Sequence, residues 1–287
     1  MVPRCPNPQC PSPQPRKNGT YYRPSDAKAV QRWLCKGCNR HFSAATFQDA
    51  YRQNKRRINP EVAKLLSSGV SQRRIALLLH IHRITVARKL TFLAQAAERR
   101  QEQWLESLPK VSDVQFDDLI TLEHTKCKPL AVSLAVEAGT RRILGFEVSP
   151  IPASGRLAAL SRKKYGRRPN LRPRGLQRLF DTIRKVLDAK VSFRSDEDPL
   201  YPVLMRRNFP GATHHRSPGG RGCVTGQGEL KQLRYDPLFS LNHTCAMLRA
   251  NINRLFRRTW CTTKKAACLS QHLWVYVEFH NTVLLNP

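Results

Sequence analysis

The chain has 287 residues, with 50 Lys and Arg against 20 Asp and Glu, and a formal net charge of +30 at pH 7. This excess is spread over the whole chain and predicts a polyanionic partner, nucleic acid before membrane. No run of about 18 apolar residues is present, so the sequence predicts no membrane span. The N-terminus, MVPRCPNPQC, lacks the apolar core of a signal peptide, and we therefore expect a cytoplasmic protein. In a reducing compartment the nine cysteines favour metal ligands and buried thiols over disulfides.

Two close cysteine pairs stand near the N-terminus. Cys5 and Cys10 are separated by four residues and Cys35 and Cys38 by two, with 24 residues between the pairs. This layout is typical of a Cys₄ zinc ribbon, in which each pair sits on a tight knuckle. A Pro-rich segment this small could hardly form a core without the metal. We predict a zinc ribbon over residues 1–45, with His41 as a less favoured spare ligand.

Residues 46–108 have the pattern of a helix-turn-helix module. Asn59-Pro60 starts a first helix, Ser71 caps a second, and a basic third helix follows His80-Ile81-His82. In this plan the last helix enters the major groove of DNA. The DNA-facing candidates are Arg83, Thr85, Arg88 and Lys89, and the candidate core residues are Ile75, Leu78, Ile81, Val86 and Leu90. A plain helical linker with a charged face is the alternative.

Residues 111–148 contain three short apolar runs separated by turn-like breaks at HTKCKP and EAGTR. This pattern predicts three adjacent strands joined as hairpins. The first strand contains Asp117 and Asp118, and carboxylates in a sheet interior are costly unless a cation meets them. Because side chains alternate across a strand, we expect only one of the two to face a given site. The alternative is that both are solvated strand-end residues.

A second acidic cluster follows a helical pattern over residues 176–190. The strand-like VSF leads there into Ser195-Asp196-Glu197-Asp198. A buried strand that ends on an aspartate delivers a ligand to the carboxyl edge of its sheet. Asp117 and Asp196 could therefore share divalent cations, and their hard oxygen ligands suit Mg²⁺.

The rest of the chain divides into basic segments and helices. Residues 156–175 and 206–234 are predicted to be basic loops, the first becoming ordered on a phosphate backbone. Residues 237–259 are predicted to form a long helix, on which Asn242 and Arg249 lie two turns apart on one face. A closing apolar helix is predicted over residues 269–281.

Taken together, these motifs resemble a family over nearly the whole chain, the prokaryotic insertion-sequence transposases with a zinc ribbon and a DDE-type, ribonuclease-H-like catalytic domain. WLCKGCNRHFS is similar to the ribbon signature of the family. FDDLITLE resembles the first catalytic strand, which maps the leading acid to Asp117, and SDEDPLYP resembles the second, which maps to Asp196. LNHTCAMLRANINRLFRRTWCTTK resembles the closing helix, which maps the third ligand to Asn242 and the following basic residue to Arg249.

The third ligand departs from the family pattern, because it is most often glutamate and Asn242 is neutral. An amide oxygen still binds Mg²⁺, and we favour Asn242 as the ligand. The alternatives are that Asp236 or Glu229 supplies the third ligand, or that this copy is inactive.

The resemblance implies an α/β fold, with a ribonuclease-H-like mixed sheet and flanking helices over residues 109–287. It implies structural Zn²⁺ and catalytic Mg²⁺ or Mn²⁺, the latter held by Asp117, Asp196 and Asn242. Two such ions would activate water to attack a phosphodiester at the transposon end, and the freed 3′-hydroxyl would then attack target DNA. The implied partners are double-stranded inverted-repeat ends and target DNA. A homodimer or higher oligomer in the cytoplasm of a bacterium or archaeon, associated with the nucleoid, is also implied.

Two other functions remain open at this point. The chain could be a domesticated DNA-binding regulator that retains the ribbon and the helix-turn-helix but not the chemistry. It could also be an RNA-guided or structure-specific nuclease with the same kind of sheet.

Overall fold

The structure, a computed structural model, describes residues 3–24, 27–218, 235–256 and 261–285. The chain divides into two compact units, Met1–Val62 and Ala63–Pro287. The finer boundaries near residues 45 and 108 stay predictions. Among the described residues, no helix is both long enough and apolar enough to span a bilayer.

The first unit contains a small antiparallel sheet of three strands, β1 (Pro15–Arg23), β2 (Lys28–Cys35) and β3 (His41–Ser43), in that order. Two 3₁₀ turns follow, at Ala44–Phe47 and Arg56–Ile58. The buried cluster beside the sheet consists of Cys5, Cys35 and Phe42. Two of these three residues are cysteines, so the apolar core is too small to stabilise the sheet by itself.

Three helices come next, α1 (Asn59–Leu66), α2 (Gln72–Leu78) and α3 (Arg83–Ser107). The Ser71 hydroxyl accepts a hydrogen bond from the Arg74 amide at 3.3 Å and caps α2, as the sequence predicts. In the turn between α2 and α3, His80 has a φ of +48°, the left-handed conformation that favours glycine. The backbone therefore makes a sharp turn here although the residue is not glycine.

The second unit is built on a five-stranded mixed sheet. Its strands are β4 (Val111–Glu123), β5 (Thr125–Glu137), β6 (Ile143–Pro150), β7 (Leu187–Ser195) and β8 (Thr213–Arg216). The spatial order is β6-β5-β4-β7-β8. β4, β5 and β6 pair antiparallel, which confirms the predicted hairpins, whereas β7 and β8 run parallel to β4. The mixed α/β class is confirmed at this level.

Five helices flank this sheet, α4 (Leu157–Tyr165), α5 (Arg172–Ile183), α6 (Leu200–Asn208), α7 (Phe239–Asn251) and α8 (Ala266–Phe279). On one face, Phe116 of β4 packs with α5 and α6 through Phe180 and Tyr201. On the other, Leu119 of β4 belongs to a buried cluster with residues of α7 and α8. Because both faces are covered near the middle of β4, Gln115 is buried and Asp117 and Asp118 are only partly exposed, whereas Ser112 near the start of the strand is exposed.

The predicted basic loop 156–175 is wrong for most of its length. Residues 157–165 form α4, and α5 begins at Arg172. The Ser161 hydroxyl donates to the Cys127 carbonyl at 2.7 Å, so α4 packs on β5 through its small residues while its charged residues remain exposed. The second predicted loop, 206–234, is also partly wrong, because its described part includes the end of α6 and the strand β8, and residues 219–234 lie outside the described residues.

Two predicted helices end earlier than expected. The helix predicted over 176–190 is α5, which ends at Ile183, and Leu187 begins β7 after a 3₁₀ turn at Arg184–Val186. Similarly, α7 ends at Asn251 and is followed by a 3₁₀ turn at Asn253–Leu255. The closing helix is confirmed as α8.

A buried histidine on α8 predicts a pH-dependent stability. His272 is 1% exposed, its Nε2 lies 2.8 Å from the Leu66 carbonyl oxygen, and its Nδ1 has no hydrogen-bond partner in the described parts of the chain. Burial lowers the pKa of His272 to about 4, from 6.5, and Arg254 lowers it too, whereas the hydrogen bond to Leu66 raises it. Between about pH 6.5 and about pH 4, His272 therefore binds a proton in the unfolded chain but not in the folded chain.

We expect the free energy of unfolding to fall as the pH decreases from about 6.5 to about 4, by up to roughly 3 kcal/mol from this residue. Urea unfolding at a series of pH values measures the slope. His272→Gln can still donate to the Leu66 carbonyl but does not titrate, so it should flatten this slope, whereas the exposed His215→Gln should not. An unchanged slope in His272→Gln would contradict the assignment.

Candidate functional site

The four N-terminal cysteines come together in the first unit. The sulfur atoms of Cys5 and Cys38 are 3.6 Å apart, as are those of Cys10 and Cys35, and all four lie within 4.8 Å of one another. Tetrahedral coordination with zinc–sulfur bonds of about 2.3 Å requires sulfur–sulfur distances of about 3.8 Å. The cluster therefore fits one zinc ion, and the His41 ring instead contacts the Asn18 amide.

The cluster favours a cation electrostatically. Burial raises the pKa of the Cys10 thiol to about 12. Burial also acts to raise the pKa of Cys35, but hydrogen bonds with the backbone of Gln14, Cys38 and Gly37 outweigh it and lower this pKa to about 6. At least one thiolate is thus stabilised by the backbone, and a bound divalent cation would stabilise the others.

Gly37 is required by the second knuckle. A Cβ atom at this position would lie 1.9 Å from the Ser12 carbonyl oxygen, which is backbone and cannot rotate away. We expect Gly37→Ala to separate the two knuckles and to weaken zinc binding by about tenfold or more, measured by competition with a chromogenic chelator. Lys36→Ala, at the exposed neighbouring position, is the matched control. Equal zinc affinity in the two variants would contradict this role of Gly37.

The predicted DNA-facing residues do not all lie on one exposed face of α3. Arg83 and Arg88 are exposed and Thr85 is half-buried, as a solvent-facing helix edge requires. Lys89 is 3% exposed, so its predicted exposed position is wrong. It stands three residues after Val86 and four before Leu93, both buried, and therefore lies within the packed stripe of α3. Conversely, the predicted core residue Leu78 is 59% exposed.

Asp117 lies in β4, and Asp196 comes just after the parallel strand β7. Gln115 of β4 is the last residue paired with β7, opposite Arg194, and Asp117 and Asp196 each follow two residues further on in the same direction. Adjacent strands are about 4.8 Å apart. Asp196 directly follows β7, and its Oδ1 accepts a hydrogen bond from the Asp198 amide at 3.0 Å. Two carboxylates distant in sequence thus meet at one edge of the sheet.

The environment of Asp117 disfavours a negative charge unless a cation is present. Burial, together with the charges of Asp196 and Asp118, raises the pKa of Asp117 to about 6. Hydrogen bonds from the Asp118 amide and the Tyr201 hydroxyl act in the opposite direction. The charge of Asp196 acts on this pKa because the two carboxylates lie near each other.

Asp118 occupies a different environment, on the α5 and α6 side of the sheet. Its carboxylate accepts hydrogen bonds from Ser133 and Arg172, and Arg172 also pairs with Asp198 at 2.8 Å. Asp118 is therefore neutralised by an arginine, whereas Asp117 takes part in no ion pair among the residues that the structure describes. Arg172 was not among the residues singled out from the sequence, where it appeared only as one cation of a basic segment.

Tyr201 connects the two aspartates. Its hydroxyl lies 2.9 Å from Asp117 Oδ1 and 3.0 Å from Asp118 Oδ2. The two carboxylates lie in different environments, as side-chain alternation predicts, yet both reach this hydroxyl, and Asp117 Oδ1 also accepts the Asp118 amide at 2.7 Å. Burial and both carboxylates raise the pKa of Tyr201, so the hydroxyl remains protonated and donates. In the sequence this residue was visible only as part of the motif SDEDPLYP.

α7 brings the third predicted residue to the same side of β4 as Asp117. Buried Gln115 accepts the Leu241 amide at 2.9 Å and donates to the Pro237 carbonyl at 3.1 Å, which fixes the start of α7 on β4. Burial raises the pKa of Cys245 to about 12, the charge of Asp117 raises it as well, and Arg249 lowers it. Cys245 therefore lies near both charges, and Asn242 stands one turn before it.

Asn242 and Asp236, two of the alternatives for the third ligand, contact each other. Asn242 is exposed, and its Nδ2 donates to Asp236 Oδ2 at 2.9 Å. Asp236 Oδ1 also accepts the Leu238 amide at 2.9 Å, beside the start of α7. The third alternative, Glu229, lies outside the described residues.

An open cleft of about 830 Å³ lies further along β4. Its lining begins at Leu119, two positions after Asp117, and includes Arg249 of α7. The carboxylates of Asp117 and Asp196 are not part of this lining.

The chain is thus a mixed α/β protein with a four-cysteine cluster compatible with zinc and a carboxylate pair at the edge of its main sheet. Two negative charges at adjacent strand positions, one with a raised pKa, fit a divalent cation held by Asp117 and Asp196. The chain matches no protein-family model and has no significant match among curated proteins.

Proposed function

We propose that this protein is a DDE-type DNA transposase, which binds the inverted-repeat ends of a mobile element and catalyses metal-dependent phosphodiester hydrolysis and strand transfer. The observation that carries the proposal is the parallel pairing of Gln115 on β4 with Arg194 on β7, two residues before Asp117 and Asp196 respectively. The mixed sheet with flanking helices supports a ribonuclease-H-like catalytic domain.

Divalent ions bound at this pair would supply a nucleophilic water and would stabilise charge on the phosphoryl oxygens. The residues of the chain itself prepare the site. Tyr201 donates to Asp117 and restrains its carboxylate, while Arg172 neutralises Asp118 and so limits the negative charge at the site. Gln115 fixes the start of α7, and with it Asn242, relative to β4.

DNA binding is assigned to the four-cysteine ribbon and to α2 and α3 as a helix-turn-helix. The left-handed turn at His80 and the exposed Arg83 and Arg88 support this assignment. Most contacts would go to phosphates, with a few to base edges. Joining two ends to a target requires two active sites, so a homodimer or higher oligomer in the bacterial or archaeal cytoplasm belongs to the proposal.

The second candidate is a DNA-binding regulator without catalytic activity. It is favoured by one observation, that neutral Asn242 donates its amide to Asp236. The two candidates are separated by incubating the full chain with a labelled inverted-repeat end and Mg²⁺ or Mn²⁺. Metal-dependent cleavage and strand transfer would support the transposase, and tight binding of the correct end without cleavage would support the regulator.

The same assay identifies the third ligand. We expect Asn242→Ala to lower the rate by about 10²-fold and to raise the Mg²⁺ concentration required for half-maximal rate, because an oxygen ligand is lost. Asp236→Ala should have the smaller effect, since its Oδ1 is engaged by the Leu238 amide. If Asn242→Ala is as active as the unmodified chain, Asn242 is not a ligand.

A further inference from the structure

A second candidate site, which is basic, lies in the segment between β6 and α5, apart from the acidic pair. Between Glu147 and Asp181 the chain contains nine Lys and Arg and no acidic residue. The structure arranges part of this segment around a cavity of about 270 Å³, lined by Arg162, Arg167 and Arg168. This volume is several times the roughly 30 Å³ that one water occupies, so it admits a phosphate group.

The cavity is attached to the main sheet at three points. The Ser161 hydroxyl donates to the Cys127 carbonyl of β5 at 2.7 Å, and the Leu171 amide donates to the Pro150 carbonyl of β6 at 3.0 Å. Arg168 lies 3.7 Å from Glu123 at the end of β4. These three contacts with the main sheet hold the walls of the cavity in place, so the cavity is not formed by exposed side chains alone.

Arg168 has an unsatisfied donor. Its side chain is 14% exposed, and its Nε is buried without a hydrogen-bond partner among the described residues. A buried donor without an acceptor is costly, and an anionic oxygen is its strongest partner. The neighbouring Arg162 and Arg167 are exposed, which makes them accessible to the same anion.

We propose that Arg162, Arg167 and Arg168 bind one phosphodiester of a bound nucleic acid. A guanidinium can pair with two phosphate oxygens, and three guanidiniums with no acidic residue in the cavity lining match a phosphate better than a carboxylate or a neutral ligand. Because Glu123 is six residues beyond Asp117 on β4, the cavity is about 20 Å along the strand from the acidic pair. This offset corresponds to about six nucleotide steps at about 3.4 Å each.

The inference rests on the proposed function only in taking DNA as the nucleic acid. The test compares two triple variants of the full chain that remove the same charge from the same segment. Arg162→Gln, Arg167→Gln and Arg168→Gln remove the cavity guanidiniums. Arg156→Gln, Lys163→Gln and Lys164→Gln remove three exposed cations that do not line the cavity.

Binding of a fluorescent 20-base-pair duplex is measured by anisotropy at several salt concentrations, without added Mg²⁺ or Mn²⁺, so that cleavage plays no part. We expect the cavity variant to lose about tenfold in affinity and its log–log salt slope to become shallower by about 1, the value for one phosphate contact. The control variant should lose less than threefold and retain the slope. Equal losses in both variants, or no loss in the cavity variant, would overturn the proposal.

A second arm separates a nucleic-acid phosphate from a free one. Inorganic phosphate is titrated by calorimetry into the unmodified chain and into the cavity variant. Saturable binding of inorganic phosphate that the cavity variant abolishes, combined with unchanged DNA affinity, would overturn the nucleic-acid assignment. The DNA affinity of the cavity variant tests this inference, and cleavage by the unmodified chain tests the proposed transposase activity. A loss of affinity in the cavity variant would support the inference even if the unmodified chain never cleaves DNA, so the two failures are distinguishable.

Discussion

Asp117→Asn and Asp196→Asn are each expected to reduce metal-dependent cleavage of an inverted-repeat end by on the order of 10³-fold, about 4 kcal/mol of transition-state stabilisation. Each substitution removes one of the two negative charges that meet where the pairing of β4 with β7 ends. The double variant should be little worse than either single one, because residues that act as a unit are not additive. The measurement is the initial rate on a labelled end at saturating Mg²⁺, together with Mn²⁺ affinity by electron paramagnetic resonance.

The matched control is Asp181→Asn, the same chemical change at a side chain that is 58% exposed on α5 and pairs with Arg184 at 3.8 Å. It should leave both cleavage and Mn²⁺ affinity unchanged. Asp118→Asn should behave differently again, with a loss of thermal stability, since Arg172 would lose its buried partner. Activity within tenfold of the unmodified chain in Asp117→Asn would contradict a catalytic role for the acidic pair.

Removal of zinc is expected to unfold the first unit while leaving the main sheet intact. The buried cluster of this unit consists of Cys5, Cys35 and Phe42, so little apolar burial remains once the metal is lost. Zinc binding to small Cys-rich modules contributes about 10–16 kcal/mol, which is then folding free energy. Cys35→Ser or a strong chelator should abolish hydrogen-exchange protection in β1 and β2 and weaken DNA-end binding, with protection in β4 to β6 retained.

Zinc content supplies the control for this result. The unmodified chain should contain one zinc per chain, Cys35→Ser close to none, and Cys268→Ser, a free cysteine on α8 outside the cluster, one. Full zinc content in Cys35→Ser would contradict coordination by the four-cysteine cluster. Undiminished end binding after zinc removal would contradict the assigned role of the ribbon in DNA recognition.

Elements with local signals could be predicted well. The alternation and turn residues of residues 111–148 predicted the three hairpin strands β4, β5 and β6. The helical pattern over residues 176–190 predicted α5, whose Leu176, Leu179 and Phe180 are buried. The cysteine spacing anticipated a cluster whose sulfur atoms do lie within 4.8 Å of one another. In each case, neighbouring residues carry the whole signal.

Prediction failed where partners distant in sequence decide the environment. The composition of residues 156–175, basic and interrupted by Gly and Pro, predicted a loop, yet α4 forms and packs on β5 through Ser161. Lys89 of α3 is buried and Leu78 of α2 is exposed, because the buried side of each helix is determined by the elements that pack on it. The contact of Tyr201 with Asp117 and Asp118 requires residues more than eighty positions apart.

By itself the sequence determined the residue types available for chemistry: four cysteines at knuckle spacing, an aspartate in each of two strands, and a strong excess of positive charge. Only the tertiary structure decided which of them meet. The parallel pairing of β4 with β7 brings Asp117 near Asp196. The packing of α5 on the sheet brings Arg172 into an ion pair with Asp118. The reason is physical, since periodicity and turn preference act over a few residues, whereas strand register and the burial of charge depend on the whole folded chain.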